Sequence, residues 1–264
     1  MLVLTVTTDT HHSYAYCHVL RAVDRYQSFP RRAQQRNLHR RYRVHQQQRL
    51  ENIPKLFFTA VKTLCINTKG VALLRLSLPL FELATTVLNS NGTLAYKSTR
   101  AKRSSVSCVL YDTKANTLLK TTYYFGPRKK PIISRVNDVE DGTQIISGLS
   151  KWTSRSQTFL FSHGREFAWK YERGMEYGTN GAKGTALVLK HGEKQLAALL
   201  RNEGIRASGS KSCSAGSGGK LLLGEGFDGI DGLSEDLVVA TCLLMLKKEV
   251  DRRRAVQFMV IAGA

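Results

Sequence analysis

The sequence predicts a mainly β protein: an antiparallel β-barrel that encloses a hydrophobic C-terminal helix and follows a basic, largely disordered N-terminus. Three observations carry this. Short β-type runs recur about every ten residues between Val106 and Leu223, with no helical pattern between them. A ten-residue apolar run, Leu237–Leu246, comes after them. The chain of 264 residues has a formal charge of +20, and thirteen of those excess charges fall within residues 1–105. A 42% hydrophobic content is too high for full disorder and suffices for one core.

Residues 1–50 contain nine Arg, no Lys and five of the seven His. Their apolar residues are too sparse to bury a face, so the stretch reads as disorder or a loose basic helix. Its Arg-rich, Lys-free composition overlaps with mitochondrial transit peptides, and its charge suits a nucleic-acid arm. Asp9 and Asp24 and the poor amphipathic spacing argue against import. Residues 51–90 are apolar without a clean period; some helix or a first strand is expected around Leu73–Leu78. Ser98–Ser105 reads as a basic linker. The domain boundary is placed so that 1–74 form the basic region and 75–264 the folded domain.

From Val106 the elements can be read in order. Val106–Tyr111 and Leu118–Phe125 flank Asp112-Thr-Lys-Ala-Asn116, a hairpin. Pro131–Arg135, Thr143–Ile146 and Gln157–Phe161 are further strands. Glu166-Phe-Ala-Trp-Lys-Tyr171 alternates aromatic and polar residues, the period of a half-buried strand, so Phe167, Trp169 and Tyr171 read as core rather than a base-stacking platform. Ala186–Leu189 and Leu196–Leu200 pair through a short turn, and Lys220–Leu223 closes the series. Eighteen of the 21 glycines lie between Gly126 and Gly232, as many tight turns require.

Ser234 can cap the helix, with Glu235 and Asp236 at its positive end. Leu237–Leu246 is apolar on every side, so it must be surrounded by protein or lipid. At ~1.5 Å per residue it spans about 15 Å, too short for a bilayer but about the height of a small barrel. The simplest packing threads it through the barrel. Lys247-Lys-Glu-Val-Asp-Arg252-Arg-Arg254 ends it, and Val256–Ile261 is expected as a final strand.

A β-meander closed by such a helix resembles the tubby C-terminal and LURP-one-related superfamily, which includes the scramblases. Four segments more closely resemble an uncharacterised family of filamentous fungi. They are Tyr123–Arg128 with Pro131, Ser154-Arg-Ser156 with Phe167–Tyr171, Ala215–Leu221, and Val239–Glu249 with Asp251–Arg254. The resemblance covers about residues 75–264 and implies a fold, with no activity attached. Some tubby-like barrels bind phosphoinositides through basic patches, but no binding residue of theirs maps onto this chain. The scramblases' cysteine cluster is absent from it.

Several motifs mimic chemistry. Gly224-Glu-Gly226-Phe-Asp-Gly229 matches a dinucleotide fingerprint, but Asp228, Asp231, Glu235 and Asp236 stand where an anion would sit, and no βαβ unit can follow. The same acids lack the alternating ligand spacing of a calcium loop. Ser217-Gly-Gly-Lys220 lacks the hydroxyl residue and first glycine of a P-loop. Cys213 and His163 have nothing to orient them as a nucleophile and base. The five cysteines are odd in number, widely spaced and form no C-x-x-C, which suits a reducing compartment better than disulfides or zinc.

The remaining candidates are cationic. Arg128-Lys129-Lys130 forms a compact basic loop, and Lys247, Lys248, Arg252, Arg253 and Arg254 mark the helix end. Should these converge, they form an anion or headgroup site. The expectation is a non-catalytic intracellular protein, cytoplasmic in first place, with nuclear and mitochondrial placement left open. It would be a binding or scaffold domain for anionic lipid headgroups, with no cofactor and no transmembrane segment. Nucleic-acid association through the Arg-rich tail is the alternative.

Overall fold

The computed structural model describes residues 58–71, 83–102, 105–126, 130–135, 145–147, 154–161, 164–178, 182–201, 214–227 and 233–262. The N-terminal basic stretch and the helix or first strand expected around Leu73–Leu78 lie outside them. The described residues form twelve strands and one helix. The strands are β1 (Ala60–Asn67), β2 (Ala84–Asn89), β3 (Leu94–Thr99), β4 (Ser107–Tyr111), β5 (Thr117–Thr122), β6 (Ile132–Arg135), β7 (Ile145–Ser147), β8 (Gln157–Leu160), β9 (Glu166–Gly174), β10 (Gly184–His191), β11 (Lys194–Leu200) and β12 (Lys220–Gly224). The helix, α1, runs Glu235–Ala262.

Each strand pairs antiparallel with the next, and β1 pairs with both β2 and β12, so the ladder runs right round. Its thinnest part is β7, which makes two residue pairs with β6 and two with β8. Without β7 this would be an eleven-strand open sheet wrapped about the helix.

The core is the space between sheet and helix. Leu64 and Ile66 of β1, Trp169 of β9, Leu187 of β10 and Leu221 of β12 face inward and are fully buried. They meet Leu237, Val238, Val239, Ala240, Cys242, Leu244 and Met245, which together cover every side of α1. The indole N–H of Trp169 donates to Thr241 Oγ1 at 3.0 Å, and that hydroxyl is also bonded to the Leu237 carbonyl one turn back. The largest aromatic side chain of the core is thereby satisfied as well as packed.

β10 and β11 read as unbroken apolar runs because both of their faces are covered. Ala186, Val188 and Ala198 lie outside the barrel wall, beneath Tyr177, Phe58 and Leu200. The hairpin at Asp112 forms as expected, its Oδ1 accepting the N–H groups of Lys114 and Asn116, both at 2.8 Å.

Three expectations are corrected. Val256–Ile261 is helical, not a strand: Lys247–Arg254 contains no Gly or Pro to stop α1, and Lys247 pairs with Asp251 one turn on. Ser98 and Thr99 belong to β3 rather than a linker, with Ser98 buried. The folded unit also begins before residue 75, since β1 fills the place between β2 and β12.

Candidate functional site at the helix exit

The barrel has two different ends. At the entry mouth Glu235 receives Lys62 Nζ at 2.8 Å and the Tyr96 hydroxyl at 3.1 Å, while Arg135 reaches Asp236 at 3.5 Å. Burial, then the Glu235 charge, pushes the Tyr96 phenol upward. The first turn of α1 therefore has its acids already partnered, and residues 228–232 of the glycine motif lie outside the described residues.

At the exit mouth the helix meets the wall through charged groups. Glu249 lies within the wall, held by both arms of Arg201 at 2.7 and 2.9 Å and by the Gly216 N–H at 2.7 Å. Burial pushes its carboxyl up to about 7, against the pull of the Gly216 N–H and of Arg252 and Arg253. The Arg201 guanidinium also sits 5.7 Å from the Tyr171 ring centre and donates to its hydroxyl. Gly216 makes this possible. Its φ is +70°, and a Cβ there would stand 2.4 Å from Val250 Cγ2 and 2.7 Å from the Leu246 carbonyl. The glycine-rich run before Lys220 is thus a close approach of backbone to helix, extended by Gly218 and Gly219 bonding to Thr68 and Ile66.

The predicted cations separate into two groups. Lys248 is buried and donates to the Ser156 carbonyl at 3.1 Å and Gln157 Oε1 at 2.9 Å. Burial, then the nearby Arg252 charge, lowers it to about 8. Lys247 pairs with Asp251, and Arg252 donates to the Ser154 carbonyl at 3.1 Å. Lys248 and Arg252 fasten the helix to its wall, whereas the Lys247–Asp251 pair lies within the helix. Arg253 and Arg254 are half-buried in the next turn. Lys130 is exposed, and Arg128 and Lys129 lie outside the described residues.

The antiparallel order brings other cations to the same mouth. Strands that run towards it end at Asn67, Thr99, Thr122, Ser147, Gly174 and Leu200. Lys69 and Lys102 follow β1 and β3 there, Lys130, Arg155 and Lys183 precede β6, β8 and β10, and Lys220 opens β12; all are exposed, as is Arg173, the penultimate residue of β9. Among the described residues exposed there, only Glu176 opposes them. The entry mouth balances Glu166, Glu193 and Glu225 against Lys62, Lys114 and Lys194. Sequence reasoning singled out Lys130 within a basic run and missed the other six, because only strand direction assigns them to one end.

No family model and no curated protein matches the chain. A solved crystal structure of an Arabidopsis thaliana protein is similar at 13% identity, with a TM-score of 0.40, over 70% of this chain and 89% of that one.

Between α1 and strands β2–β5 lies a cleft of about 70 Å³, lined by Leu243, Lys247 and Val250 on one side and Ser98, Cys108 and Thr121 on the other. That is room for a few water molecules, too little for a headgroup. Phe167 and Trp169 are buried and Tyr171 is half-buried, as expected of core residues. Cys213 and His163 lie outside the described residues. Among the described residues no helix is long and apolar enough to cross a membrane.

Proposed function

We propose that this chain is a non-catalytic binding domain that docks its exit mouth on an anionic membrane surface, at the cytoplasmic face. The observation that supports it is the charge difference between the two mouths. Basic residues near such a surface contribute of order 1 kcal/mol each, so a ring of six or seven gives useful, salt-sensitive attraction without a shaped pocket. The helix fills the interior, which favours recognition by a surface over enclosure of a ligand. Cys65, Cys108 and Cys242 are free thiols, in keeping with a reducing compartment. Kinship with tubby-like and LURP-one-like domains is proposed on the sheet wrapped about a C-terminal helix.

Cosedimentation of the full chain with vesicles tests the reading. Vesicles containing phosphatidylserine or phosphoinositide should pellet it and neutral phosphatidylcholine vesicles should not. Reversing Lys102, Lys130, Arg155 and Lys220 to Glu should abolish pelleting. Reversing Lys114 and Lys194 at the other mouth should leave it unchanged. Equal loss in both variants, or RNA binding untouched by either, would move the function to the basic N-terminal tail.

A further inference from the structure

Two segments far apart in sequence bring like charges together at the exit mouth. The carbonyls of Ser154 and Ser156 accept from Arg252 and Lys248, so this stretch lies along α1 with Arg155 between the two contacts. Burial lowers the Arg252 guanidinium, and of the neighbouring charges Glu249 opposes that while Arg155 and Arg253 add to it. The nearby carboxylates are already engaged: Glu249 holds Arg201 with both oxygens, and Asp251 pairs with Lys247. Among the described residues Arg155, Arg252 and Arg253 form no ion pair. Arg253 Nη1 is buried and has no hydrogen-bond partner. We infer that Arg155, Arg252 and Arg253 form a binding site for a phosphomonoester group. The inference goes beyond the membrane reading, which needs only dispersed surface charge, and stands whether or not the mouth docks on a membrane.

The chemistry of the cluster selects that group. A buried N–H of a charged side chain is seldom left without an acceptor, and an ion is one such acceptor. Guanidinium groups present planar donors matched to oxyanions, and Arg clusters are a recurring receptor for phosphate esters. Arg252 gives Nη1 to the Ser154 carbonyl, which leaves its other donors available. A phosphomonoester has three terminal oxygens and a charge of about −1.5 to −2 at neutral pH, enough to offer each guanidinium an oxygen. A carboxylate or a phosphodiester has two free oxygens and a single charge, so it leaves one arginine and most of the excess charge unmet. Nucleic acid, a chain of diesters, fits poorly for the same reason. The placement is also unlike that of the exposed lysines around the rim. Arg252 and Arg253 are half-buried neighbours on one helical turn, and the bond to Ser154 holds that turn beside the approach to β8.

The test uses the full chain with glycerol 3-phosphate, a soluble phosphomonoester, and with dimethyl phosphate, a diester, at matched ionic strength. Glycerol 3-phosphate should raise the melting temperature saturably, and dimethyl phosphate should not. The double variant Arg155→Gln with Arg253→Gln should bind glycerol 3-phosphate at least tenfold more weakly. Arg155→Gln alone, at an exposed position, should weaken it severalfold with no loss of folding. In chloride buffer the double variant should melt no lower than wild type, since it removes a buried cation that lacks a partner. Vesicles identify the source of the phosphate. If a lipid supplies it, phosphatidic acid vesicles should bind at least tenfold more tightly than phosphatidylserine vesicles of equal surface charge, and the double variant should lose that preference. If the soluble ester binds without any such preference, the site stands and its ligand is a soluble phosphate ester. If no anionic vesicle pellets the chain while glycerol 3-phosphate still binds, the membrane reading falls and the site stands. A response shared by both esters, or retained in the double variant, refutes the site and leaves surface docking to be judged by phosphatidylserine pelleting.

Discussion

Arg201 and Glu249 meet inside the barrel wall as a two-pronged ion pair, Nη1 to Oε2 at 2.7 Å and Nη2 to Oε1 at 2.9 Å. The pair joins the end of β11 to the helix across 48 residues of sequence. Removing one partner leaves a buried charge uncompensated, so Glu249→Gln or Arg201→Met should each cost about 3–5 kcal/mol. The double variant Arg201→Met with Glu249→Leu should recover much of that loss in urea denaturation. Additive losses would mean that the two residues do not act on each other.

Lys248 gives the protein a distinctive alkaline response. Its ammonium has carbonyl and amide partners but no carboxylate among its bonds, and burial lowers it to about 8. The unfolded chain holds that proton up to about 10.5. Between these values the unfolded state binds more protons, so stability from this residue rises as pH rises from 8 to 10.5. Solvent at the mouth trims the gain to about 1–2 kcal/mol. Lys248→Met should remove that slope, read as the difference between the two proteins' melting temperatures across the range.

Two neighbouring helix positions should respond unequally to a carboxylate. Met245 is buried against the sheet, so Met245→Asp should cost several kcal/mol and unfold the domain at ambient temperature. Leu243 borders the small cleft and is half-buried, with Lys247 one turn away. Leu243→Asp can reach water and that ammonium, and should cost about 1–2 kcal/mol. Equal melting of the two variants would place the helix outside the wall.

Gly216→Ala should destabilise by at least about 2 kcal/mol, from the positive φ and from the collision with Val250 and Leu246. Gly192→Ala is a useful comparison. Its φ is +58°, but nothing lies within 4 Å of the added carbon, so it reports the backbone strain alone. The difference between the two variants measures how tightly the helix is pressed on the β12 approach.

The strands from β4 to β12 were legible because their apolar runs are short and separated by turn residues. Glu166–Tyr171 was the clearest, since its alternation survives in the fold with Phe167 and Trp169 inward and Glu166 and Lys170 outward. β1 was hidden for the opposite reason. Leu64 and Ile66 alternate correctly, but they sit in a stretch where apolar residues flank them without punctuation. The helix was legible from Leu237 to Leu246, and its continuation was not, because Val256, Val260 and Ile261 carry β propensity that an uninterrupted helix overrides. At the site, Lys247–Arg254 read as a charged run reaching solvent. Neither the burial of Lys248 nor the partner of Glu249 could be seen there, since Gln157 and Arg201 are supplied by strands far away in sequence.

The order of the elements along the chain has a consequence for how the protein is made. Among the described elements the helix that the sheet surrounds follows every strand, and β1, which precedes the other strands, must bond with β12 as well as with β2. While the ribosome is still adding residues 235–262, the twelve described strands have an inward face of leucine, isoleucine and aromatic side chains with nothing to cover it. Pairing between such distant segments is slow, and a nascent sheet of this kind is open to clumping or to chaperone capture. Cooperative closure must therefore await residues 235–262. Stalling or premature termination within the helix would release a chain with all twelve described strands and an incomplete helix for them to surround.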